Sequence, residues 1–307
     1  MLIDDFITYL KLELNSSVNT VEAYRRDLEQ WADFATSGNP EALNPTDMTT
    51  GDLRVWIAHL AKQGLSARSI KRKVQAVRAF FRYMMRNHGL KSNPAADLQL
   101  ARGRKELPVY IRETETNEMV GDTDYDHGDF TELRNRLIVD MLYSTGMRCS
   151  ELISLRDMNV NNAKGELKVH GKRNKDRLIP YGEELTEMIN CYRTLRDSSP
   201  STAISPRDPE APFFVREDGR PMYRKAVYNI VHARMLEAGV HAPRLSPHVL
   251  RHSFATDMLN SGAPITSVQQ LLGHSSLVST QVYTHITYRE LKQNYQLAHP
   301  RALKKGG

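Results

Sequence analysis

The stretch "LSPHVLRHSFATDML", residues 245–259, opens a helix on chemistry rather than on packing. Ser246 stands at the N-cap and Pro247 at the first helical position, where its missing N–H costs nothing. His248 and Arg251 are three residues apart, so they share a face at the helix N-terminus. That end carries a partial positive charge and suits an anion. His248 and His252 have the i, i+4 spacing of a zinc helix. The Glu of HExxH is missing, however, and an Arg would stand beside the metal, so no metal site is expected.

Three other polar stretches lack a packing explanation. "STGMRCSELISL" (144–155) puts Arg148 just after a Gly, where a new helix would start. "HGKRNKDR" (170–177) puts Lys172 in a hairpin turn, flanked by Leu167 and Val169 before it and Leu178 and Ile179 after it. "LLGHSSLVSTQVYTHI" (271–286) holds His274 next to a turn Gly and Tyr283 beyond it. Together these residues are two arginines, two histidines, one lysine and one tyrosine, with no acidic pair to hold the metals of a nuclease. The set fits metal-free phosphoryl chemistry. Two guanidiniums can hold the negative charge that gathers on non-bridging oxygens. A tyrosine of ordinary pKa ~10 needs that positive surrounding to act as a nucleophile. A lysine can protonate the departing oxygen.

The chain has 307 residues, 40% of them apolar and 25% charged, which is a globular composition with room for two cores. No apolar run reaches the ~20 residues of a membrane span. The start "MLIDDFITYL" has no basic n-region, so no signal peptide is expected. Two isolated cysteines, Cys149 and Cys191, point to a reducing cytoplasm. The net charge is +6, nearly all of it in the first third. Residues 62–96 carry nine Lys/Arg and no Asp/Glu, which on a folded helix makes an anion-binding face, with nucleic acid the commonest target.

Spacings of three and four predict helices in the first hundred residues: from Ile3, over 18–35, over 49–64, and over 66–89. In the last of these, Ile70, Val74, Val77, Phe81 and Met84 form one stripe. Lys71, Arg78, Arg82 and Arg86 fall on another face and, with Arg72, are the candidate DNA contacts. "LARGRKELPVYIRETE" breaks the pattern and reads as a linker. The expected domains are therefore 1–100 (helical), 101–110 (linker) and 111–307. In the last, helices are expected over roughly 114–121, 130–144 and 182–196, and from about 222 onward. The fold class is mainly α with a small β-sheet.

The chain resembles the tyrosine recombinases, and more narrowly the bacterial Xer type, over essentially its whole length. The motifs that carry the resemblance are "TGMRCSEL", "GKRNKDRLIP", "SPHVLRHSFAT", "LLGHSSLVSTQVYTH" and "HPRA", five in order. The resemblance implies a SAM-like core-binding domain followed by a catalytic domain. It implies that Arg148 and Arg251 clamp the scissile phosphate, that Lys172 is the general acid for the 5′-oxygen, and that His248 moves the tyrosine proton. It further implies that His274 hydrogen-bonds the phosphate and that Tyr283 forms a 3′-phosphotyrosyl link. No metal, ATP or other cofactor is implied. The implied partners are DNA, a tetramer of this chain or with a paralogue, and a DNA translocase of the FtsK type. Asp257 stands where the family often has His, and Met147 where Leu is common.

The competing readings are an integrase of a mobile element, a DNA-binding relative without catalysis, a metal nuclease and a type IB topoisomerase. The first helix begins at residue 3, which favours the minimal Xer layout over an integrase with an added arm-binding domain. The tail "TYRELKQNYQLAHPRALKKGG" carries Leu291, Tyr295 and Leu297–Ala298, an apolar strip too short to fold alone. The expectation is that it docks on a neighbouring protomer.

Overall fold

A computed structural model describes residues 2–100, 111, 113–120, 128–171, 176–199, 201–202, 208, 210–242, 244–273 and 287–302. The chain divides into two compact units, Met1–Glu106 and Leu107–Gly307. The expected linker, 101–110, lies outside the described residues.

The first unit holds α1 (Leu2–Leu12), α2 (Val18–Ala35), α3 (Thr50–Lys62) and α4 (Ala67–Asn87). Each of the last three starts on a side-chain cap. Ser17 accepts from the Thr20 N–H, Ser66 accepts from the Ser69 N–H, and Thr49 forms a reciprocal capping box with Asp52. The apolar stripes meet in one core, where Phe6, Leu28, Trp31, Trp56, Val77, Phe80 and Phe81 are buried. Trp31 meets Phe81 edge-on at 5.4 Å between ring centres.

In the second unit the order is α5 (Glu113–Val120), α6 (Phe130–Thr145), α7 (Cys149–Ile153), a sheet, then α8 (Glu183–Ser198), α9 (Arg224–Glu237), α10 (Pro247–Asn260), α11 (Ile265–Leu272) and α12 (Tyr288–Ala298). The sheet holds β1 (Val160–Asn161), β2 (Glu166–His170) and β3 (Asp176–Pro180), all antiparallel in that order. The expected hairpin is present, with Leu167 opposite Ile179 and His170 opposite Asp176. The short β1 has too few residues to show alternation in the sequence. Helix α6 is buried on almost every side, packing against α8, α9 and α10, and so organises this core.

Helices α6 and α11 both end on a left-handed glycine, Gly146 (φ +60°) and Gly273 (φ +63°). A Cβ on Gly146 would come within 2.4 Å of Phe254 and 2.9 Å of Leu272. The bare backbone is therefore what lets α10 and α11 close over the end of α6.

In the single chain the tail packs on its own unit. Leu291, Tyr295 and Ala298 of α12 are buried in their own unit, against α10, α11 and β3, whereas Leu297 is exposed. The Tyr295 hydroxyl donates to the Ser144 carbonyl at 3.0 Å. His299 stacks on Tyr295 at 5.0 Å, and burial pushes its pKa down to about 3, so it packs as a neutral ring. Arg301 then donates to the buried Asp140 at 3.0 Å. The apolar strip that was expected to seek a neighbour finds its cover locally.

Gly146→Ala is expected to destabilise the second unit by about 2–5 kcal/mol, from a forced left-handed alanine plus overpacking against Phe254. Urea unfolding measures this; a change under about 0.5 kcal/mol, the range of an ordinary surface substitution, would contradict it.

Candidate active site and nucleic-acid interface

The site is built around a buried carboxylate. Glu151, in the first turn of α7, is 6% exposed. Its Oε1 accepts from Arg148 Nη1 at 2.8 Å and from Arg177 Nη1 at 3.0 Å. Its Oε2 accepts from the Arg148 backbone N–H at 2.7 Å and from Arg177 Nη2 at 2.8 Å. All four lone-pair positions of the carboxylate are thus used. Burial opposes its charge, but the forked bonds from Arg177 and Arg148 hold its pKa below the usual carboxylate range.

Arg177 comes from β3, which follows Lys172 in the sequence. Its Nε donates to the Leu271 carbonyl at 2.7 Å, at the C-terminal end of α11. The next carbonyl, Leu272, accepts from Arg251 Nη2 at 2.7 Å, and the Gly146 carbonyl accepts from Arg251 Nη1 at 2.6 Å. Two cations therefore cap the free carbonyls of α11, where the helix dipole is negative.

Arg251 is 9% exposed. Burial first, and then the nearby charge of Arg148, lower its pKa to about 10. It stays protonated at neutral pH but under electrostatic stress, which an entering anion would relieve. Three guanidiniums around one carboxylate leave this cluster with a formal charge of +2. Among the described residues, two of Arg251's five N–H groups face carbonyls, and one of Arg148's side-chain N–H groups is spent on Glu151, which leaves donors on both.

His248 is exposed in the first turn of α10, on the Arg251 side of the helix. Ser246 is the N-cap residue and Pro247 follows it, as expected, but the Ser246 side chain makes no capping bond. Of the candidate catalytic residues, Arg148, His248 and Arg251 are therefore seen. Lys172, His274 and Tyr283 lie outside the described residues. Glu151 and Arg177 were missed in the sequence. Glu151 carried a signal, since it sits three residues after Arg148 with capping-box spacing. Arg177 carried none, being one more charge in a basic hairpin.

Two surfaces beyond this cluster bear on nucleic acid. On α4, Lys71, Arg82 and Arg86 are exposed, the last donating to Tyr9 Oη at 3.1 Å. Arg72 is also exposed and Arg78 is half-buried, and both have partners within the unit. Arg72 pairs with the buried Asp27, and Arg78 donates to the carbonyls of Ala95 (2.7 Å) and Leu98. The α4 sequence cannot show this, because the partners lie in α2 and in the loop after α4. The other surface was not anticipated. At the start of α9, Arg216 sits over the Tyr223 ring at 5.6 Å and Lys225 over Tyr228 at 5.5 Å, with Arg220 and Arg224 exposed beside them. Helix α9 packs on α7, and the charge of Arg224 reaches Cys149, the neighbour of Arg148.

Among the described residues no helix is long and apolar enough to cross a membrane. Residues 110–290 match the phage integrase family, and residues 3–88 match the N-terminal SAM-like domain of phage integrases. The chain is 35% identical over 303 residues to a tyrosine recombinase XerC of Bacillus pumilus, covering 98% of this chain and 96% of that one. It is 32% identical over 302 residues to a tyrosine recombinase XerD of Staphylococcus aureus, covering 98% and 99%. The solved Tn1549 transposon integrase, in complex with transposon right end DNA, has the same fold, with a TM-score of 0.71 at 20% identity over 96% of this chain and 98% of that one. Sequence, fold and site chemistry agree: the chain belongs to the phage integrase family, among the tyrosine recombinases of the Xer type.

Proposed function

We propose that this chain breaks and rejoins double-stranded DNA at a specific site through a 3′-phosphotyrosyl link on Tyr283, and that it resolves chromosome dimers at a dif-type site. The observation that carries the reading is the +2 cluster of Arg148, Arg177 and Arg251 around Glu151, with N–H donors left over for an anion. A phosphodiester carries one negative charge and gathers a second as the attacking oxygen bonds to phosphorus. Donors already fixed before that charge develops cost no reorganisation during the reaction.

In this reading the Tyr283 oxygen attacks the scissile phosphorus while His248 accepts its proton. A Tyr–O–P bond forms and the bond from phosphorus to the 5′-oxygen breaks. Lys172 gives that oxygen a proton, and His274 hydrogen-bonds the phosphate. Attack by a 5′-hydroxyl of a second strand reverses each step, so the bond energy is kept and no ATP is consumed. The SAM-like unit holds DNA through Lys71, Arg82 and Arg86, and the basic aromatic start of α9 adds contacts beside the scissile phosphate. Strand exchange requires two duplexes, hence a tetramer of this chain, alone or with a paralogue. The XerC and XerD relatives support the dif-type reading, as does a solved XerH recombinase bound to a palindromic difH substrate, which has the same fold. A translocase of the FtsK type would be the partner that licenses exchange.

Incubation with nicked DNA bearing candidate sites from the host chromosome, followed by a denaturing gel, is expected to give a covalent adduct. The adduct should form in excess chelator and vanish in Tyr283→Phe. An adduct that persists in Tyr283→Phe would show that the nucleophile lies elsewhere.

Lys71→Glu with Arg82→Glu is expected to weaken binding and to flatten its dependence on salt by about 0.9 in log–log slope for each phosphate no longer neutralised. An unchanged slope in a salt titration of half-site binding would mean that this face of α4 points away from DNA.

A further inference from the structure

We infer that Arg177 is a positioning residue for the phosphate clamp, acting through Glu151 on Arg148 and locking both to the end of α11. The inference rests on the recombinase reading above. Arg177 supplies two of the four donors that saturate Glu151, at 3.0 and 2.8 Å, and spends its Nε on the Leu271 carbonyl. Among the described residues it has therefore committed three N–H groups to the protein, while Arg148 has committed one from its side chain. That asymmetry divides the two roles: Arg148 keeps its donors for a ligand, and Arg177 keeps Arg148 in place.

The geometry is specific to arginine. One planar fork spans both oxygens of Glu151 while the third N–H turns to a helix end. A lysine ammonium could keep the charge but could not reach all three acceptors from one position. Space for the fork comes from Gly273, where a Cβ would approach Arg177 Nη1 to 3.1 Å. Without Arg177, Glu151 would lose half its donors while remaining buried, and Arg148 would be tied to a carboxylate that no longer has a fixed position. The same cluster of bonds joins three elements that each border in sequence on a candidate catalytic residue: α7 next to Arg148, β3 soon after Lys172, and α11 just before His274.

The test is a double-mutant cycle between Arg177→Lys and Arg148→Lys, read as single-turnover cleavage of the nicked substrate at saturating protein. Arg177→Lys is expected to bind a half-site as the wild type does and to cleave about 10–10²-fold more slowly, the cost of roughly 1 Å of misplacement. In the Arg148→Lys background the same change should cost less than about threefold, because the residue it acts through is already gone. Glu151→Gln provides another route through the same bonds and should show the same slow cleavage and the same lack of additivity with Arg148→Lys. It serves as the deciding variant if Arg177→Lys does not fold. Reductions that multiply in the cycle, or wild-type cleavage by Arg177→Lys, would overturn the inference. If the wild-type chain forms no adduct, the recombinase reading falls, and this inference with it.

Discussion

A buried carboxylate has to be paired or it will not stay charged, and the architecture around Glu151 follows from that requirement. Its four donors come from two arginines on different elements, so α7 and β3 must meet there. The arginine from β3 carries a third bond to α11, and the adjacent α11 carbonyl takes Arg251 from α10. Arg251 in turn holds the Gly146 carbonyl at the end of α6. Five elements are thereby tied to one small polar cluster. The two left-handed glycines, Gly146 and Gly273, are what let the chain come this close. As a pure stability device the arrangement would be a poor choice, since apolar groups of similar volume often do as well. As a way to hold Arg148 and Arg251 ready for an anion, it is well suited.

That readiness separates affinity from rate. Binding to DNA draws on many phosphate contacts spread over exposed lysines and arginines, each replaceable and screened by salt. The cluster around Glu151 is different: it is largely buried, its donors are fixed by the protein, and salt screens it weakly. Lowering of the Arg251 pKa to about 10, by burial first and then by the charge of Arg148, marks the same tension. A phosphate relieves that tension most when its own negative charge is greatest, which is at the transition state.

Much of this was legible in the sequence, and the limits have physical causes. The helices of the first unit announce themselves because one face of each is apolar, and period is a local property. Arg148, His248 and Arg251 were found because each sits at a helix start or beside a glycine turn without an apolar role. Glu151 and Arg177 were not paired, because 26 positions separate them and only the fold brings a strand to a helix N-terminus. The partners of Arg72 and Arg78 within the unit were hidden for the same reason, since Asp27 and the carbonyls of Ala95 and Leu98 lie on other segments. The apolar strip of α12 was recognised as needing a partner, but a sequence does not say whose surface supplies it. Lys172, His274 and Tyr283 rest on motif spacing and on the chemistry that the described residues leave to be completed.

On the proposed mechanism Arg251, fixed by two carbonyls before DNA arrives, stabilises the transition state and not merely the bound DNA. Arg251→Gln tests it most directly, with cleavage and half-site binding measured on the same nicked substrate. The expected result is a fall in single-turnover cleavage of on the order of 10²–10³ or more, with binding changed by only a few fold. Binding that falls in proportion to cleavage, or cleavage near the wild-type rate, would contradict it.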